Sequence, residues 1–169
     1  MTIVVPSGPQ YTSRSIRLDT AQGTAIENYQ ISEISNFEQS QFAVYDKWQE
    51  GRVLRAGPTG QYNCHGLSFA TRRTGIYDRT EVEKILHEDG YREIHPSKAL
   101  PGDVILYLAE DGDAEHSGLV VSAPDKLMLG VPQVISKWGK YSEFIHWANQ
   151  CPYSFANSKY YRIAISNAK

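Results

Sequence analysis

Pro101-Gly102-Asp103-Val104-Ile105-Leu106-Tyr107 and His116-Ser117-Gly118-Leu119-Val120-Val121 are the two runs that decide the fold class. Pro101-Gly102 is a turn pair, and it leads into an apolar β-type run over 103–108. The acidic, glycine-containing stretch 110–113 reverses the chain, and 116–121 returns as the partner strand of a hairpin. Pro124-Asp125 turns the chain again. A third strand is expected over 133–138 and a last one over 160–165, with a short helix over 142–149 between them.

Upstream of the hairpin the pattern is helical. Ser35-Asn36-Phe37-Glu38 has the form of a capping box, and the stretch it opens, to Glu50, offers Phe37, Val44, Tyr45 and Trp48 as apolar contacts, with Gly51 as the stop. Gly57-Pro58-Thr59-Gly60 is a turn. A helix is expected over 63–73, with Leu67 and Ala70 inward. Thr80-Glu81-Val82-Glu83 reads as a second capping box, opening a helix with Val82, Ile85 and Leu86 on one face and Gly90 at C′. Residues 1–30 read as an irregular arm with a short strand at 3–5. Helices followed by an antiparallel sheet make an α+β layout. No repeat or linker divides the chain, so residues 1–169 are assigned to one domain.

The bulk numbers narrow the function. The chain has 169 residues, 41% apolar and 21% charged, with a net charge of −2. No general basic field points to nucleic acid. No apolar stretch approaches the roughly 20 residues that span a bilayer. Met1-Thr2-Ile3-Val4-Val5-Pro6 lacks the basic and long apolar regions of a secretory signal peptide. The expectation is cytoplasmic synthesis, with any action elsewhere requiring a dedicated secretion system or lysis. Two cysteines, Cys64 and Cys151, make no disulfide framework, and no Cys/His spacing resembles a zinc site. Asp111-Gly112-Asp113 is a solvated turn rather than a calcium loop. No metal or cofactor is expected.

Gln61-Tyr62-Asn63-Cys64-His65-Gly66-Leu67 carries the chemistry. A free cysteine is most often a small buried hydrophobe. The polar and permissive neighbours here, following a glycine-rich turn, favour a reactive thiol. Placed at a helix start, Cys64 meets unpaired N–H groups and the positive end of the helix dipole, which stabilise a thiolate. Gly66 would let a substrate carbonyl approach the backbone, and the Cys64 N–H would serve an oxyanion. Tyr62, then Gln61, are candidates for a second oxyanion donor. His116, opening a strand, is the candidate base, because a strand end holds a base rigidly near a distant thiol. His87 and His95 read as surface residues.

Asn63-Cys64-His65-Gly66-Leu67, then Pro101 to Tyr107, then His116 to Val121, resemble in order and spacing the NlpC-type superfamily of papain-like cysteine peptidases and amidases. The family pattern is Asp-Cys-Ser-Gly-Leu at a helix start, a Pro-Gly-Asp-Leu strand, a His-Val-Gly-Ile strand and a strand bearing a third polar residue. Asn63 stands for the family's Asp and His65 for its Ser. The resemblance covers roughly residues 60–138. Cys preceding His separates the chain from the permuted lipid acyltransferases. It implies a papain-like fold with Cys64 as nucleophile, His116 as base and Ser136 as the third catalytic residue. His146 is the other candidate orienter, and His65 could reach the site from the turn after Cys64. Trp138 either walls the substrate groove or belongs to the core.

The implied activity is cleavage of an amide bond in peptidoglycan peptides, with no cofactor. A leaderless enzyme of this kind fits an injected antibacterial effector with an immunity partner, a phage lysis enzyme or a muropeptide-recycling enzyme. Two other readings stay open: a toxin that deamidates or transamidates a protein glutamine, and an inactive binding module of the same fold.

Overall fold

The computed structural model describes residues 13–164. The strand expected at 3–5, and residue 165 of the last expected strand, lie outside the described residues. The architecture is α+β, with one large antiparallel sheet and few helices. In chain order the elements are β1 (Ser13–Arg14), β2 (Gln30–Ile31), α1 (Asn36–Gln41), α2 (Ala43–Asp46), β3 (Val53–Ala56), α3 (Cys64–Ala70), α4 (Arg79–Glu88), β4 (Tyr91–Ile94), β5 (Val104–Leu108), β6 (Ala114–Val120), β7 (Gln133–Lys137), β8 (Glu143–Trp147) and β9 (Ser158–Ile163). The main sheet runs β3-β8-β7-β6-β5-β9-β4, every pair antiparallel. Among the described residues, no helix is long and apolar enough to cross a membrane.

The expected hairpin is the middle of this sheet. β5 pairs with β6 in the register Leu106↔Ser117 and Tyr107↔His116, and the register shifts between Tyr107 and Leu108. Asp103 holds the start of β5: Arg162 donates from Nε and Nη2 to its two carboxylate oxygens at 2.7 Å, and the Leu100 N–H donates at 2.7 Å. Burial pushes the Asp103 carboxyl up, but the Arg162 guanidinium and the Leu100 amide outweigh it and hold the carboxyl below its ordinary value.

Side chains alternate across the sheet, so it buries two faces. Val104, Leu106, Leu119 and Ile135 meet α3 and α4 through Leu67, Ala70, Val82 and Ile85. Ile105, Tyr107, Val120, Val134, Phe144 and Tyr160 face a second core with Trp138, Tyr141 and Cys151. Phe42, Tyr45 and Trp48, from the α1–α2 region, close that second core.

Several local expectations are corrected. The 142–149 stretch is strand β8, not a helix. Its side chains alternate between the two cores, Phe144 into one and Ile145 against the other, and helical periodicity cannot serve both. The Ser35 capping box forms: Ser35 Oγ accepts from the Glu38 N–H at 3.2 Å, and the Ser35 N–H donates to Glu38 Oε2 at 2.9 Å. The helix it opens is nevertheless split into α1 and α2, with no buried residue in either and with Phe37 and Val44 exposed. The cap of α4 is Asp78, whose carboxylate accepts from the Thr80 N–H at 2.8 Å, not Thr80. Edge strands β3 and β4, four residues each, give too short an alternation to stand out in the sequence.

Gly66 has a packing role. A Cβ there would sit 1.8 Å from the Thr74 carbonyl oxygen, so α3 lies directly on the 74–75 backbone. Gly66→Ala is expected to lower the stability by roughly 1–3 kcal/mol, read as a lower urea midpoint with an unchanged denaturant slope.

Candidate active site

Cys64 is the first residue of α3, and Asn63 is its N-cap. The buried Asn63 carboxamide accepts from the Gly66 N–H at 2.9 Å and the Ile76 N–H at 3.0 Å, and donates from Nδ2 to the Ile76 carbonyl at 2.6 Å. The third bond needs a donor. Aspartate, the residue of the resembled family, would set two acceptors against each other there.

The Cys64 thiol is buried and free, as is Cys151. Burial pushes the Cys64 pKa up. The backbone amides of Ser117, His65 and Cys64 itself, and the Ser117 hydroxyl, pull the other way without overcoming it. The resting group is therefore a thiol set among backbone donors.

His65 does not act as a free acid or base here. Its Nδ1 lies 2.9 Å from Ser117 Oγ, which also accepts from the Ser68 hydroxyl at 2.9 Å. Burial lowers the His65 pKa to about 4.

His116 is fully buried and packs against Tyr107, its cross-strand neighbour, with ring centroids 5.2 Å apart. Tyr153 stacks on its other side at 3.8 Å, with 5° between the ring planes. Among the described residues, neither imidazole nitrogen has a hydrogen-bond partner. The expected hydrogen bond from the Cys64 thiol is thus absent. Burial, then His146 and His65 nearby, push the His116 pKa well below its ordinary value, so the ring is a neutral imidazole.

Ser136 shares the sheet face of His116: Gly118 opposes Ser136, which makes His116 and Ser136 diagonal neighbours. Ser136 is not bonded to His116, however. Its Oγ lies 2.8 Å from His146 Nε2, and His146 Nδ1 lies 2.8 Å from the Trp147 carbonyl. A carbonyl only accepts, so Nδ1 carries the proton and Nε2 accepts from the Ser136 hydroxyl. The two candidate orienters satisfy each other, and burial takes the His146 pKa to about 4. Trp138 is core: it is 0% exposed and packs on Phe144 at 4.5 Å, so it walls no groove.

Tyr62 is committed elsewhere. Its hydroxyl donates to Glu143 Oε2 at 2.8 Å, and Arg72 grips the same buried carboxylate from Nε at 2.9 Å and Nη2 at 2.8 Å. Glu143 therefore ties down the chain both before Asn63 and after the end of α3. That end comes at Ala70 rather than at 73, because Thr71 and Arg72 adopt φ of 49° and 65°. The left-handed turn swings Arg72 back to Glu143. Lys137, directly opposite Glu143 on β7, is also buried. Its ammonium donates to the Tyr141 carbonyl and lies 5.2 Å from the Tyr62 ring centroid. Burial lowers its pKa to about 8 against the opposing pull of Glu143 and Cys64. Gln61 is exposed, with its backbone N–H donating to Thr59 Oγ1 at 3.1 Å. Its side chain is the remaining candidate for the second oxyanion donor. His87 and His95 are exposed.

A groove of about 590 Å³, walled by Tyr29, Ile31, Phe37, Glu38 and Lys140, lies beside the loop that leads to Cys64. The Ile31 N–H donates to the Gly60 carbonyl at 3.0 Å, and the Thr59 N–H donates to the Lys140 carbonyl at 3.0 Å. Tyr153, Lys137, Glu143 and Ser117 are the site residues that sequence reading did not single out. Each belongs to the site only through cross-strand or loop contacts, which have no signature in local spacing.

Comparison with protein-family models, curated proteins and solved structures gives no match to this chain.

The buried histidines make stability depend on pH. Folded values lie below the unfolded value of about 6.5, so the unfolded chain binds more protons as the pH falls below it. Stability is complete above about pH 6.5 and is lost toward the folded values, by up to about 1.4 kcal/mol per pH unit per histidine. His146→Gln, which can still accept from Ser136, is expected to flatten the loss of unfolding free energy between pH 7 and 5 by one histidine's share in denaturant titrations.

Proposed function

We propose that this protein is a papain-like cysteine hydrolase that cleaves an amide bond, with Cys64 as nucleophile and His116 as base. The observation that carries the reading is the setting of the Cys64 thiol: first residue of a side-chain-capped helix, among the backbone amides of Cys64, His65 and Ser117. A fully buried imidazole with both nitrogens unpaired, on the residue preceding Ser117, adds to it. Buried polar atoms are rarely left unpaired, and the exceptions often carry function. Catalytic hydrogen bonds are often long or unmade before substrate binds.

In the reaction the Cys64 sulfur bonds to the amide carbon as its proton passes to His116. The oxyanion accepts from the Cys64 N–H. The C–N bond breaks as the imidazolium protonates the leaving amine, leaving a thioester. Water, giving its proton to His116, attacks the thioester, releases the acid and restores the thiol. The resemblance to NlpC-type enzymes points to peptidoglycan peptides as substrate. An enzyme of this kind that can reach the producing cell's own peptidoglycan would need an immunity partner there.

A second reading, an inactive binding module of the same fold, is favoured by the buried thiol and the missing bond to His116. Alkylation with iodoacetamide at pH 7, followed by mass spectrometry of the Cys64 peptide, separates the two. The enzyme is expected to label faster than a small-molecule thiol and to lose that excess, roughly 10²-fold or more, in His116→Ala. Labelling no faster than the free thiol, unchanged by His116→Ala, would sink the proposal. Purified muropeptides then test the substrate: new amines are expected. No cleavage, with ammonia released from a protein glutamine, would identify a deamidase or transamidase instead.

A further inference from the structure

We infer that Tyr153 is the positioning residue of His116, fixing the imidazole by face-to-face stacking where a hydrogen-bond acceptor would ordinarily do so. The inference rests on His116 being the base of the proposed reaction. A general base needs one nitrogen free for the thiol and a fixed ring plane. The usual device is an acceptor on the other nitrogen, and among the described residues none is present. Ser136, the expected orienter, is bound to His146, and His146 is bound in turn to the Trp147 carbonyl.

What fixes the ring instead is aromatic contact on both sides. Tyr153 lies parallel to it at 3.8 Å and 5°, and Tyr107 lies tilted at 5.2 Å and 47°. Tyr107 is itself held by its hydroxyl, which donates to the Ala148 carbonyl at 2.8 Å. Tyr153 comes from the irregular segment after β8, where Cys151 Sγ approaches the Tyr153 carbonyl at 3.7 Å. Tyr153 is half-buried while His116 is fully buried, so the phenol ring is also the cover between the imidazole and solvent. The titratable groups around His116 are Tyr107 on β5, His146 on β8, His65 on α3 and Tyr153 itself. Stacking leaves both nitrogens free, which suits a ring that must first take and then return a proton.

The test uses the full chain with ¹⁵N-labelled histidine. In the wild type the His116 ring protons should be shifted upfield by the Tyr153 ring current and show cross-relaxation with the Tyr153 ring. Tyr153→Phe should keep that shift and keep the Cys64 alkylation rate within twofold. Tyr153→Leu should move the shift to its unstacked position. It should also raise the pH at which His116 titrates and cut the His116-dependent part of the alkylation rate by about tenfold to a hundredfold. A Leu variant that retains the wild-type titration and rate overturns the inference. If Tyr153→Leu does not fold, the wild-type spectrum decides: absence of the upfield shift and of the cross-relaxation is equally fatal. Loss of the shift in the Leu variant, together with a Cys64 rate that never depended on His116, would uphold the stacking and reject the hydrolase reading instead.

Discussion

The carboxamide of Asn63 makes three hydrogen bonds in a buried spot, and the place of Cys64 follows from them. One bond caps α3, so the helix starts at the cysteine. The other two hold the cap to Ile76, so the helix start cannot move away from the segment that leads into α4. Gly66, packed on the Thr74 carbonyl, lets that contact close. The helix start is thus set by a local polar bond set, and the apolar packing of α3 on the sheet brings the Ser117 amide of β6 to the thiol.

Glu143 completes the placement from the other direction. It is a buried carboxylate on β8 that takes Tyr62 from one side of α3 and Arg72 from the other. Breaking one partner of such a buried set leaves the rest uncompensated. Lys137 sits across from it and is the cation of this cluster that interacts with Cys64. A thiolate formed at Cys64 is electrostatically favoured by the Lys137 ammonium, against the burial that keeps the resting group a thiol.

On the opposite face the polar groups are arranged differently. Ser136 and His146 satisfy one another inside the core, while His116 has no hydrogen-bond partner among the described residues and is held by rings. β6 contributes Ser117 to the hydrogen-bonded polar cluster under α3 and His116 to the aromatic one under the 148–157 segment, and the two clusters stay within electrostatic reach: Cys64 raises the Tyr153 pKa and His65 lowers that of His116. Adjacent residues of one strand serve both, which is the direct result of a two-residue period.

The α+β class, the β5–β6 hairpin, the α3 start at Cys64 and the Ser35 cap were legible in the sequence, because each rests on contacts within a few residues: a turn pair, an alternating run, a capping side chain. The strand character of 143–147 was not, since Glu-Phe-Ile-His-Trp suits either period and only two cores on opposite sides choose between them. The partners of the site side chains were not legible either. Ser136 on a neighbouring strand looked like the orienter of His116, yet β7–β8 pairing places His146 within its reach instead. Tyr62 looked free to meet an oxyanion, yet the left-handed turn at Thr71 and Arg72 completes a carboxylate cluster that holds it. Sequence by itself determined which residues are chemically capable and where local elements begin. Tertiary structure decided which of them meet, because hydrogen-bond and stacking partners here come from strands and loops brought together only by the register of the folded sheet.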